Sequence, residues 1–187
     1  PAEALWDVVV PGGRHELRLL VSTYDGAAIS ESLIVIAPKI PGQQPALFRV
    51  CIGINDYDEA GLKLNAATKD AREVFKAFED SCTGEYNRFK TTKGALLLDK
   101  EATREAVLKS LNEVRKAAKP GDLVVLFFAG HGHKQDSEFY LVTREADTSK
   151  SLKGNSLSGE DLRKSLSEME CPVLLIMDAC HSAKGAK

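Results

Sequence analysis

Leu123-Val124-Val125-Leu126-Phe127-Phe128-Ala129 runs without a polar side chain and then breaks into Gly130-His131-Gly132-His133. An unbroken apolar run of strand length, rich in Val and Phe, predicts a strand buried on both faces at the centre of a parallel sheet. A second apolar run, Cys171 to Met177, ends in the same abrupt way, in Asp178-Ala179-Cys180-His181-Ser182. Ligand sites in open α/β sheets gather outside the carboxyl ends of the strands. Both sets of reactive groups are therefore expected at one end of a single sheet.

Outward from these runs, strands and helices alternate. Leu47 to Ile54 predicts another apolar strand, left through Gly53-Ile54-Asn55-Asp56-Tyr57. Residues 65–79 have helical spacing, with Ala67, Ala71, Val74, Phe75 and Phe78 on one face. Gly94 to Leu98 is a short strand, and Thr103 opens a helix whose buried stripe is Val107, Leu111 and Val114. Lys119-Pro120-Gly121-Asp122 stops that helix, since Pro and Gly cannot continue it. Glu138 to Val142 reads as a further strand, and Ser158 as the cap of a helix with Leu162, Leu166 and Met169 on its face. This order predicts a three-layer α/β fold with a mostly parallel sheet over residues 46–187.

Residues 1–37 have a different rhythm and form a small β segment in front of that fold. Leu5 to Val10, Glu16 to Tyr24 and Ser32 to Ala37 read as strands, separated by turns at Pro11-Gly12-Gly13 and Asp25-Gly26. Three such strands cannot close a stable sandwich unaided. They are expected either to end an upstream β module or to pack on the α/β domain. The Pro-rich stretch 38–45 is read as a stiff linker.

Composition narrows the function classes. A length of 187 residues allows one good-sized domain with an appendage. With 43% hydrophobic and 28% charged residues the chain has the make-up of a soluble globular protein. Its net charge of −2 gives no reason to expect nucleic acid or an anionic membrane as partner. No apolar run approaches the roughly 20 residues that span a bilayer. Opening on Pro1 without Met, the chain reads as a piece of a longer precursor. Its cysteines, Cys51, Cys82, Cys171 and Cys180, form no C-x-x-C pair and suggest a reducing, cytoplasmic setting.

The strand ends carry the chemistry. Cys180 lies just past an acid rather than within its strand, as a nucleophile would. His131 can take its thiol proton, because the thiolate is the reactive form. The glycines beside His131 permit close backbone approach. The N–H groups of Gly132 and Cys180 are candidate donors to a developing oxyanion. A carbonyl near Tyr57 is a candidate third group to orient the imidazole. His133 and His181 compete for the base role but read as rim residues. A zinc site from His131, His133, Cys180 and His181 has enough ligands but no familiar spacing, so no metal and no other cofactor is expected.

Leu126 to Gly132 followed by Val173 to Ser182 resembles the caspase-like cysteine peptidases, and Asp178-Ala179-Cys180-His181-Ser182 is closest to the metacaspase and bacterial caspase-like branch. Val50 to Tyr57 with Leu64 to Ala71 resembles that family's first strand and helix. The resemblance covers residues 46–187 and implies a caspase-like fold and a peptidase passing through an acyl-enzyme on Cys180, with His131 as base. It further implies that Asp70 and Asp178 line a pocket for Arg or Lys before the cut bond. Residues 134–138 and 183–187 lack the acid clusters of calcium-dependent members, so calcium is not expected. The resemblance implies a large subunit that pairs with a separate small subunit from the same precursor. Lys187 suits the proposed pocket and is a candidate self-cleavage site. Residues 1–37 resemble the last strands of an immunoglobulin-like connector, and the branch makes a cell-death or antiphage role an expectation. The alternatives are a catalytically silent binding or scaffold module, and thiol acyl transfer through the same dyad.

Overall fold

The computed structural model describes residues 13–18, 20–23, 26–37, 45–80 and 89–179. The chain divides into two compact units, 1–43 and 44–187. In the first unit β1 (Gly13–Leu17) pairs antiparallel with β4 (Leu33–Ala37), and β2 (Leu20–Thr23) pairs antiparallel with β3 (Gly26–Ile29). Four short strands thus stand where the pattern of residues 16–37 predicts two. Thr23 pairs with Gly26, and Asp25 of the expected Asp25-Gly26 turn lies outside the described residues. Gly26 supplies the first strand position instead. The strand expected over Leu5 to Val10 lies outside the described residues.

The second unit is built on a four-stranded parallel sheet in the order β11-β7-β5-β6, comprising β5 (Ala46–Gly53), β6 (Thr91–Leu98), β7 (Leu123–Ala129) and β11 (Val173–Asp178). The helices are α1 (Ala67–Asp80), α2 (Arg104–Ala117) and α3 (Gly159–Ser167). From β5 the chain crosses through α1 to β6 on one side and then through α2 to β7 on the other. Crossovers of one hand that run in opposite directions put their helices on opposite faces. Side-chain packing agrees: Ala67, Ala71, Val74 and Phe75 of α1 meet Cys51, Phe127 and Ala129, while Val107 and Leu111 of α2 meet Val50, Ile52, Leu126 and Phe128. This is the expected three-layer α/β architecture.

Local chemistry explains the helix starts. Thr103 Oγ1 accepts the Ala106 N–H at 3.2 Å, and Ser158 forms a reciprocal capping box with Asp161. One charge is deeply placed in the sheet. Arg49 is 3% exposed, its guanidinium 3.9 Å over the Phe75 ring, and it donates to the Phe75 carbonyl within α1. The Glu79 carboxylate, 3.7 Å from the guanidinium, supplies an opposite charge.

A small antiparallel sheet, β10-β9-β8, leaves the end of β7. It contains β8 (Gly132–Gln135), β9 (Glu138–Leu141) and β10 (Leu157–Ser158). β8 is absent from the periodicity because Gly-His-Lys-Gln carries no alternation of apolar residues. The β11 strand corrects the sequence reading more substantially. Its apolar run predicts burial, yet Leu174, Leu175 and Met177 are 42%, 37% and 51% exposed. β7 flanks β11 on one side only, and no described strand covers the other. Among the described residues no helix is long and apolar enough to cross a membrane.

Gly53 sets the fit of α1 on the sheet. A Cβ there would lie 2.4 Å from the Ala67 carbonyl oxygen and 2.7 Å from Ala71 Cβ, so the helix itself would have to move. Gly53→Ala is expected to lower stability by about 1–3 kcal/mol, read from the midpoint of urea unfolding.

Candidate active site

The four parallel strands end side by side and are tied together there. The Ile54 N–H donates to the Ala129 carbonyl at 3.1 Å, and the Gly130 N–H to the Asp178 carbonyl at 3.1 Å. The Asn55 and Asp56 N–H groups both donate to Asp99 Oδ1, at 2.8 and 2.9 Å. The segments that leave β5 and β7 are therefore neighbours. The strand order turns between these two strands, which is where α/β sheets open a crevice for ligands.

His131 stands in that crevice, half-buried. Its Nε2 lies 2.8 Å from the Leu62 carbonyl oxygen. A carbonyl can only accept, so Nε2 carries the proton, and Nδ1 of the neutral ring holds the lone pair. The orienting carbonyl expected near Tyr57 has its counterpart in Leu62, five residues further on. Tyr57 holds the same residue by the backbone: its hydroxyl oxygen accepts the His131 N–H at 2.8 Å, and the two rings lie 5.1 Å apart at a 47° tilt. Gly130 makes the approach possible, since a Cβ there would sit 2.6 Å from the Tyr57 hydroxyl. Burial pushes the Tyr57 phenol up to about 12, the bond from His131 acts in the opposite direction, and the Asp99 charge adds to the rise.

Gly132 is buried and opens β8 opposite Leu141. The Val142 N–H donates to the His131 carbonyl at 2.9 Å, so the antiparallel alternation makes Gly132 and Leu141 a non-hydrogen-bonded pair. The Gly132 N–H therefore points out of the β8–β9 ladder. His133 follows within β8, opposite Tyr140.

The two acids share a face. Strand register lines Gly53, Ala129 and Asp178 in one row, and α1 covers that face from Ala67 onward, with Asp70 in its first turn. Asp178 is exposed and Asp70 half-buried. Cys180, His181 and Lys187 lie outside the described residues. No group of three or more His, Cys, Asp or Glu among the described residues could hold a metal ion. A shallow cavity of about 240 Å³ sits elsewhere, between α2 and α3, lined by Leu108, Leu111, Arg115 and Lys164 among others. Its Arg115 and Asp161 are already paired with Glu168 and Arg104, and neither a cysteine nor a histidine is among the residues that line it.

Leu62, Tyr57 and Asp99 are the members of the site that sequence reasoning does not assign. A backbone carbonyl has no sequence signature. Tyr57 carries one weak signal, an aromatic hydroxyl just past the end of a strand. Asp99 stands out in the sequence only as an acid shortly before a helix.

A sequence model of the caspase domain, a peptidase family, matches residues 48–187. No curated protein matches the chain. Among solved structures the chain is similar to protein GSU0716 from Geobacter sulfurreducens, with 21% identity and a TM-score of 0.59. That match covers 74% of this chain and 51% of the other, so this chain spans about half its length. At that identity the likeness speaks to the fold alone.

Tyr57 yields a pH prediction. Its folded value, about 12, lies above the usual tyrosine value of about 10. The neutral phenol therefore stabilises the fold fully below about pH 10, and that contribution is lost as pH rises toward about 12. The ultraviolet titration of the protein minus that of Tyr57→Phe is expected to show this tyrosinate forming near the upper value, with stability falling through the same window.

Proposed function

The chain belongs to the caspase-domain family of cysteine peptidases, and from that premise we propose that it is an endopeptidase cleaving after Arg or Lys through Cys180 and His131. The observation that carries the reading is the bond between His131 Nε2 and the Leu62 carbonyl, which leaves Nδ1 as the basic nitrogen at the strand end. Asp178 closes the neighbouring strand, and the chain reaches Cys180 two residues later.

In this mechanism Nδ1 takes the Cys180 thiol proton, and the thiolate sulfur attacks the carbonyl carbon of the scissile bond. Charge collects on the former carbonyl oxygen, where the N–H groups of Gly132 and Cys180 donate to it. The outward direction of the Gly132 N–H favours that role. The proton on Nδ1 then passes to the departing amine as the C–N bond breaks, leaving a thioester on Cys180. Water, deprotonated by the same imidazole, attacks the thioester carbon; the C–S bond breaks, the acid product leaves, and the proton returns from Nδ1 to the Cys180 sulfur. No metal or organic cofactor enters any step.

Asp70 and Asp178 are proposed to hold the basic side chain of the substrate, as carboxylates on one face of the sheet can. The exposed apolar edge of β11 favours a further partner, a small subunit from the same precursor that adds strands beside it after a cut near Lys187. Covering that edge would also enclose Asp178. Cys51 and Cys171 are unpaired thiols, which suits a reducing, cytoplasmic setting.

Fluorogenic peptides ending in Arg, Lys or Asp test the reading on the enzyme with both subunits. Cleavage after Arg or Lys is expected, with Cys180→Ala and His131→Ala each lowering kcat at least about 10³-fold. Asp178→Ala should raise KM for the basic peptides by about tenfold or more. An enzyme that cuts none of the peptides and whose Cys180 resists alkylation would not be a peptidase. For the processing step, mass spectrometry of the longer precursor should find an end at Lys187 that Cys180→Ala abolishes.

A further inference from the structure

Two of the groups that hold His131, the Tyr57 hydroxyl and the Leu62 carbonyl, belong to the segment 55–64 that leaves β5. What holds this segment therefore bears on the imidazole. Its middle is tied to the loop that comes after β9: Glu59 accepts from the Thr148 N–H and hydroxyl at 2.6 and 2.8 Å, and Asp58 pairs with Arg144 at 2.7 Å. Its root is held differently. Two consecutive N–H groups, of Asn55 and Asp56, converge on the single oxygen Asp99 Oδ1. The Asn55 carbonyl in turn accepts the Leu64 N–H at 2.9 Å, which closes the segment two residues past Leu62. Asp99 reaches this position with φ +44°, a left-handed conformation that Asp and Asn tolerate better than other side chains.

We propose that Asp99, at the end of β6, is a positioning residue for the His131 imidazole. Its carboxylate fixes the root of the 55–64 segment, and the segment delivers the Leu62 carbonyl to Nε2, so that the ring keeps its proton there and its lone pair on Nδ1. The chain of contacts runs from Asp99 to Asn55, from Asn55 to Leu64, and from Leu62 to His131. Asp99 acts through this segment and not as a catalytic group. The inference rests on the catalytic role proposed for His131, but the state of the ring can be read without turnover.

Nitrogen NMR of the imidazole in a Cys180→Ala chain reads the tautomer directly. With Asp99 intact, His131 is expected as a single form protonated on Nε2. Asp99→Gly keeps the backbone conformation accessible but removes the acceptor, and should populate both tautomers. Asp99→Asn keeps an oxygen acceptor and should restore the single form. In the chain with Cys180 present, Asp99→Gly should lower kcat by about 10- to 100-fold, with KM changed by less than about twofold. Asp99→Asn should come back to within about threefold of the parent. If Asp99→Gly does not fold, Asp99→Ser, whose hydroxyl can serve one of the two amides at most, is read in the same way. A single Nε2-protonated form in folded Asp99→Gly or Asp99→Ser, an unchanged kcat, or a loss that Asp99→Asn does not rescue overturns the proposal. A parent chain that cleaves no peptide would instead count against the peptidase reading, and the tautomer comparison would still decide the role of Asp99.

Discussion

The parallel pairing of β7 with β5 on one side and β11 on the other is the constraint on which the rest of the molecule depends. Register sets Ala129 opposite both Gly53 and Asp178, so all three strands stop at one level. Val124, Val125, Leu126 and Phe128 of β7 are at most 1% exposed. Burying each such side chain is worth about 1.5–3 kcal/mol. A slip of one residue would turn this set to the wrong faces and carry His131 away from Leu62. The same burial that stabilises the sheet thus sets the level at which the reactive groups emerge.

Above that level, hydrogen bonds replace side-chain packing. Each chain leaving a strand is bonded to its neighbour: Asn55 to Asp99, Ile54 to Ala129 and Gly130 to Asp178. Such bonds satisfy backbone groups that have just left the ladder, and they also hold the imidazole between an amide anchor and a carbonyl. A histidine can act as a base at a defined atom only when something fixes which nitrogen carries the proton. Here a backbone carbonyl, that of Leu62, does so. Asp178, in register with Gly53 and Ala129, and Asp70, in the first turn of α1, stand instead on the α1 side of the sheet.

Elements whose patterning is local were readable from the residues. Leu123 to Ala129 forms β7 over its full expected extent, Thr103 and Ser158 cap helices, and the stripe Val107, Leu111 and Val114 is buried as the spacing predicts. Elements that depend on a partner were not. β8 exists because Gly132 to Gln135 pairs with β9, and nothing in Gly-His-Lys-Gln by itself favours a strand. Cys171 to Met177 is apolar enough for a central strand, yet β11 is an edge strand among the described residues. An apolar run specifies that burial is wanted, but not which neighbour provides it.

The sequence by itself determined the alternation of strands and helices, the caps, the level at which apolar runs end, and the residue types collected there. Those come from periodicity and backbone preference, which act over a few neighbouring residues. The tertiary structure alone decided that Leu62 would face His131 across 69 positions, and that Asp99 would hold the segment bearing Leu62 across 44 from Asn55. Both contacts use backbone groups, which every residue possesses. Their pairing is selected by the register of distant strands, and no local pattern of side chains encodes it.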